Sequence, residues 1–151
     1  MNTILNNKKF LSIKEISFTP ELKAGLSEVF GAQNADRAEK VSKKIKGFQF
    51  TYASKNGKVG GLLAVPESSR KGKLPCIIYN RGGNKDFGIL KRGALFKNLG
   101  SLAAEGYLVI ASQYSGNSLG EGKDEFGGRE LDDVIELYDI LKTLPVADTE
   151  K

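Results

Sequence analysis

Histidine does not occur in this 151-residue chain. Within these residues that excludes a Ser-His-Asp triad, a Cys-His pair, a His-ligated zinc and an imidazole proton shuttle. Tryptophan is absent as well, and the single cysteine, Cys76, excludes an internal disulfide framework and fits a reducing compartment. No apolar run approaches the roughly 20 residues that a membrane-spanning helix needs. Met1 to Phe10 lacks the apolar stretch of a secretory signal. The expectation is a soluble, cytoplasmic protein with no membrane partner.

What is present describes a folded chain of single-domain size. Apolar residues make up 40% and charged residues 27%, which is globular rather than disordered composition. The net charge of +5 is uneven. Residues 1–75 carry 14 basic and 6 acidic side chains, and residues 76–151 carry 9 basic and 12 acidic. A basic half can mark nucleic-acid contact. Here Lys43, Lys44 and Lys46 have only Phe48 and Phe50 nearby and no RNA-binding signature, so the reading is a solvated Lys-rich surface and no nucleic-acid partner.

Residues 1–18 show no clear period. Thr19-Pro20-Glu21 reads as a helix start, with Leu22, Leu26, Val29 and Phe30 at helical spacing and Gly31 as the stop. Residues 34–46 read as a second short helix or a linker. Phe48, Phe50 and Tyr52 then alternate with polar residues, Asn56-Gly57 signals a type I′ turn, and Val59 to Val65 supplies a partner strand, giving a β-hairpin over 45–66. Pro75 to Tyr79 reads as a strand buried on both faces, residues 89–105 as a helix and Tyr107 to Ala111 as a second buried strand. Residues 129–144 read as a helix with Leu131, Val134, Ile135, Tyr138 and Leu141 at helical spacing. The predicted organisation is an N-terminal helical or irregular segment, 1–44, followed by an α/β unit over 45–151. Its fold is a β-hairpin plus two parallel strands with crossover helices.

In such sheets, function gathers in the loops after the carboxyl ends of the strands. Two Gly-rich loops lie there, 80–88 and 115–128. In Asn80-Arg81-Gly82-Gly83-Asn84 the glycines permit a sharp turn and close approach of backbone N–H groups to an anion. A tight connection with φ > 0 explains them equally well. Gly116-Asn117-Ser118-Leu119-Gly120 matches G-x-S-x-G, the nucleophile-elbow pattern, and Lys123 is the nearby candidate base. The pattern is out of context, because a nucleophile elbow passes directly into a helix and here residues 121–128 intervene. Gly122-Lys123 lacks the remaining glycine and Ser/Thr of a phosphate-binding loop. Asp124, Glu125, Glu130, Asp132 and Asp133 form an acidic cluster. It is read as a helix start complementing the helix dipole rather than as a Mg²⁺ or Ca²⁺ site. No cofactor and no metal are expected.

From about residue 45 onward the chain resembles the first part of the α/β-hydrolase domain of the prolyl oligopeptidase family of serine peptidases. The resemblance is carried by Gly61 to Pro66, by Leu74 to Asn84, by Ala104 to Tyr114 and by Gly122 to Gly128, in that order. Ala147-Asp148 resembles the segment before the family's next strand. The resemblance implies hydrolysis of peptide, amide or ester bonds by acyl transfer. It also implies that the nucleophile elbow, acid and His lie beyond these residues, so that no catalytic residue has a counterpart here and the chain alone is inactive. What carries over is the loop Arg81, Gly82, Gly83 and Asn84 as an oxyanion-loop candidate. Ser115 stands where related sequences commonly have Arg, which implies a weaker loop contact. The alternative is a non-enzymatic module that self-associates or pairs with a complementary chain.

Overall fold

The computed structural model describes residues 2–67, 72–83, 85 and 87–151. The described elements, in chain order, begin with α1 (Asn2–Leu5), β1 (Phe10–Ile16), α2 (Pro20–Phe30) and α3 (Ala32–Ser42). A hairpin follows, made of β2 (Ile45–Ser54) and β3 (Gly57–Pro66), and then the strand β4 (Leu74–Ile78). Next comes a continuous helical run of α4 (Arg92–Ala94), a π-helical turn (Leu95–Leu99) and α5 (Gly100–Ala104). The chain closes with β5 (Leu108–Ser112), α6 (Leu131–Thr143) and β6 (Ala147–Asp148). The six strands form one open sheet in the order β1-β2-β3-β5-β4-β6. The first four neighbours in that order pair antiparallel, whereas β5, β4 and β6 run parallel.

Local chemistry accounts for most of these boundaries. The Thr19 hydroxyl accepts from the Leu22 N–H, and Pro20 opens α2 where no N–H is needed. The hairpin turn proper is Lys55-Asn56, and positive φ falls on Gly57 (φ 108°) alone. The expected type I′ geometry, with two positive φ angles, therefore does not form. A type I-like turn resolved by the following glycine takes its place. The π turn arises where Gly100 lets the helix approach α3 and β2: a Cβ there would lie 2.9 Å from Val41 Cγ1 and 3.2 Å from Ile45 Cδ1.

The sheet is covered on both faces. One face packs Phe48, Phe50, Tyr52, Leu63, Leu108 and Ile110 against Leu137, Ile140 and Leu141 of α6. The other packs Leu62, Ala64, Val109 and Ala111 against α2, α3 and the π turn. Because side chains alternate along a strand, neighbours such as Leu62 and Leu63 serve opposite cores. Central β5 is buried throughout. In β4 only Leu74 is buried and the other residues are half-buried, so the expectation of burial on both faces holds for β5 and not for β4. The cause is the neighbour: β6 contributes only Ala147 and Asp148. Among the described residues no helix is long and apolar enough to cross a membrane.

Besides the single turn α1, two strands went unread in the sequence. One is β1, which lies within residues 1–44 yet pairs with β2, and the other is β6. The outward face of α6 also differs from expectation. Leu131, Ile135 and Tyr138 are 60%, 62% and 45% exposed, whereas Asp133, Leu137, Ile140 and Leu141 face the sheet. The helix is apolar around most of its circumference, and a buried hydrogen-bonded Asp133 sets which side turns inward.

Candidate functional site

The loops after β4 and β5 meet at the carboxyl ends of the parallel strands. They are drawn together by one buried ion pair. The Arg81 guanidinium, fully buried, donates from Nη2 to Asp124 Oδ2 at 3.1 Å, and the Asp124 side chain is 5% exposed. Arg81 also donates from Nε to the Gln113 carbonyl (3.2 Å), and from Nη1 to the carbonyls of Phe87 (2.8 Å) and Lys85 (3.4 Å). Its Cζ carbon sits 4.9 Å from the centroid of the Tyr114 ring. Gln113 holds the return limb of the loop, accepting from the Leu90 N–H and donating to the Leu90 carbonyl. Arg81 is therefore consumed by the protein and is not a free cation for a ligand.

The glycines around it are required sterically. Gly83 has φ 79°, and a Cβ there would lie 2.3 Å from Phe87 Cδ1. Gly88 has φ 80°, and a Cβ would lie 1.8 Å from the Gly82 carbonyl oxygen. Gly82 faces open space. Among the described residues, the Gly82 and Gly83 N–H groups have no hydrogen-bond acceptor. Gly83 borders a cavity of about 530 Å³ lined also by Asn80, Arg81, Tyr114, Asp124 and, on its apolar side, Phe126 and the outer face of α6. Asn84 lies outside the described residues.

Strain concentrates here. Lys85, Tyr114, Leu119 and Phe126 are the described non-glycine residues with positive φ, and all lie in these two loops. Each such residue costs on the order of 1 kcal/mol and persists only where its surroundings over-determine it. Burial pushes the Asp124 carboxyl up. Hydrogen bonds from Asn117, the Lys85 N–H and the Phe126 N–H, with the Arg81 charge, outweigh it and hold the group below the usual carboxylate range. Burial also raises the Tyr114 phenol, against the pull of Arg81.

A second buried centre anchors the loop after β5. Asp133, fully buried, accepts from the Ser115 N–H and Ser115 Oγ, both at 2.7 Å, and from Ser54 Oγ. Tyr52 donates its hydroxyl to the Asp133 carbonyl, and burial raises its pKa. Ser115 thus makes the loop contact through its backbone and its hydroxyl at once. Glu130 accepts from the Gly127 N–H at the start of α6. Among the described residues no group of three or more His, Cys, Asp or Glu side chains is placed to hold a metal.

Ser118 lies elsewhere. It is exposed, and its carbonyl packs against β3, 2.4 Å from where a Gly60 Cβ would sit. It belongs to a turn closed by the Gly120 N–H on the Asn117 carbonyl, and α6 begins only at Leu131. It does not line the cavity beside Gly83. Sequence reasoning found the Gly82-Gly83 loop, gave Gln113 and Tyr114 no role, and read Asp124 and Asp133 as part of an acidic helix start, whereas Asp124 precedes α6 and pairs with Arg81 and Asp133 is turned inward onto Ser115. The available signal was Arg81 itself, since a basic residue at the end of a buried strand needs a counter-charge.

The fold is an incomplete sheet of the α/β-hydrolase type. No family model matches the chain. Over 104 residues, 69% of its length, the chain is 31% identical to the uncharacterized peptidase YtmA of Bacillus subtilis (strain 168), and that match covers 38% of YtmA. The hypothetical protein PA2218 of Pseudomonas aeruginosa superposes with a TM-score of 0.57 at 19% identity, over 89% of this chain and 38% of that one. The esterase Est22 superposes with a TM-score of 0.53 at 17% identity, over 85% and 42%. The chain thus spans under half the length of these relatives. It is a distant relative of a protein named as a peptidase and shares its fold with an esterase.

Proposed function

We propose that these residues are the N-terminal part of a prolyl-oligopeptidase-like serine hydrolase, which cleaves peptide, amide or ester bonds by acyl transfer. The observation that carries the reading is the Gly82-Gly83 turn after β4, whose N–H groups have no acceptor among the described residues and whose Gly83 lines a cavity at the carboxyl end of a parallel sheet. In this fold the loop after the third strand supplies one oxyanion donor, and the residue after the nucleophile supplies the other. Such donors stabilise the charge that develops on the attacked carbonyl oxygen. With no His in the chain and Ser118 away from the cavity, this reading takes the nucleophile and its base from outside these residues. The test is labelling by a fluorophosphonate probe. The 151-residue chain is expected to remain unlabelled. The product of its gene, read on past Lys151, is expected to label at the serine of a strand–G-x-S-x-G–helix unit. Labelling of the 151-residue chain at Ser118, abolished by Ser118→Ala, would overturn the reading.

A second reading, association with another copy or a complementary chain, is favoured by one observation. The outer face of α6 exposes Leu131, Ile135 and Tyr138 beside exposed Phe126, next to the thinly covered strand β4.

A further inference from the structure

We infer that Asp124 is a positioning residue that locks the loop running from Arg81 to Leu90, and thereby fixes the direction of the Gly82 and Gly83 N–H groups. The purpose of those groups rests on the hydrolase reading above, and the locking rests on geometry alone. Asp124 comes from the loop after β5, not from the loop it holds. Its Oδ2 accepts from Arg81 Nη2 (3.1 Å), the Lys85 N–H (2.8 Å) and Asn117 Nδ2 (2.8 Å), and its Oδ1 accepts from the Phe126 N–H (3.1 Å). Three segments converge on one carboxyl group.

The arrangement works as a clamp. Arg81 leaves β4 at the start of the loop and reaches across it to the carbonyls of Lys85 and Phe87 on the far limb. A buried guanidinium is tolerated only with a counter-charge and satisfied donors. Among the described residues Asp124 is the acidic partner of Arg81, and it also pins the far limb directly through the Lys85 N–H. The strained backbones of Lys85, Tyr114 and Phe126 belong to the same network. Lys85 and Phe126 donate their N–H groups to Asp124, and the Tyr114 hydroxyl donates to the Arg81 carbonyl at 3.2 Å. A loop of glycines would otherwise sample many conformations, and oxyanion donors act only when their direction is fixed beforehand.

The test is ¹⁵N relaxation on the 151-residue chain. The glycine amides Gly82, Gly83 and Gly88 are expected to be as rigid as the strands in the parent protein, with order parameters near 0.85. In Asp124→Asn they are expected to fall below about 0.6 while β2, β3 and β5 stay unchanged. Asp133→Asn removes a more deeply buried carboxyl group whose partners are Ser54 and Ser115 rather than Arg81 and Lys85, so it is expected to lower stability and leave the three glycines rigid. Should Asp124→Asn fail to fold, Arg81→Lys keeps the charge but loses the planar fork, and it is expected to loosen the same glycines. Rigid glycines in Asp124→Asn or Arg81→Lys, or equal loosening in Asp133→Asn, would overturn the inference. No turnover is involved, so this outcome is separate from the labelling result that decides the hydrolase reading.

Discussion

At the scale of single residues, two buried carboxyl groups do different work. Asp133 is fed by serine hydroxyls and a backbone N–H, with no cation among its partners in the described residues, so its contribution is hydrogen bonding. Ser115 suits that arrangement, being short enough for its N–H and its Oγ to reach the same oxygen. Asp124 is matched with a guanidinium, and its charge is part of the interaction. The folded state holds the Asp124 carboxyl below its ordinary value, so near pH 4 the folded protein binds fewer protons there than the unfolded chain. Stability from this group is present above about pH 4 and is lost as pH falls through the folded value. Other carboxyls, among them Asp36, Glu39 and Asp139, are shifted the same way by lysine partners. The informative quantity is therefore a difference. The urea midpoint of the parent protein is expected to fall more steeply between pH 5 and pH 3 than that of Asp124→Asn, and parallel curves would contradict the assignment.

At the scale of elements, the sheet depends on how closely its backbones approach. In β3, a Cβ on Gly61 would lie 2.3 Å from Phe50 Cζ and 2.7 Å from the Ala111 carbonyl oxygen. The Phe50 ring lies across the glycine, and Phe50 in turn packs 4.8 Å from Phe10 of β1. Gly61→Ala must displace that ring and strain the pairing with β5. It is expected to destabilise the protein by about 2 kcal/mol in denaturant unfolding, whereas Gly25→Ala, whose Cβ meets open space, is expected to stabilise α2 slightly. The alternation of Phe48, Phe50 and Tyr52, the Thr19 cap and the short apolar runs of β4 and β5 were legible because each is a local pattern. β1 was not: in Phe10–Ile16 only the two ends are buried, and its pairing is decided by the distant β2. Two-residue β6 has no pattern to read. The inward face of α6 is set by contacts to Ser54, Ser115 and Tyr52, which lie far away in sequence. The Gly82-Gly83 loop was visible for the same local reason, and its clamp was not, because 43 residues separate Arg81 from Asp124.

At the scale of the whole molecule, the two faces of the sheet are unequally finished. The side covered by α2, α3 and the π turn buries its core. On the other side, α6 presents Leu131, Val134, Ile135 and Tyr138 along one stripe, beside Phe126 at 71% exposure. The stripe runs along a cavity, and half-buried β4 has only two residues of β6 paired on its outer side. Monomeric proteins rarely leave an apolar stripe beside a thinly covered strand, because both are templates for association. In isolation, the 151-residue chain is therefore expected to self-associate, with an apparent mass in light scattering that rises with concentration. Ile135→Lys places a charge in the middle of the stripe without touching the buried side of α6. It is expected to leave the unfolding midpoint within about 0.5 kcal/mol of the parent and to return the chain to a monomer. A parent chain that is already monomeric at high concentration would remove the interface, and an Ile135→Lys variant that associates equally well would move it away from α6.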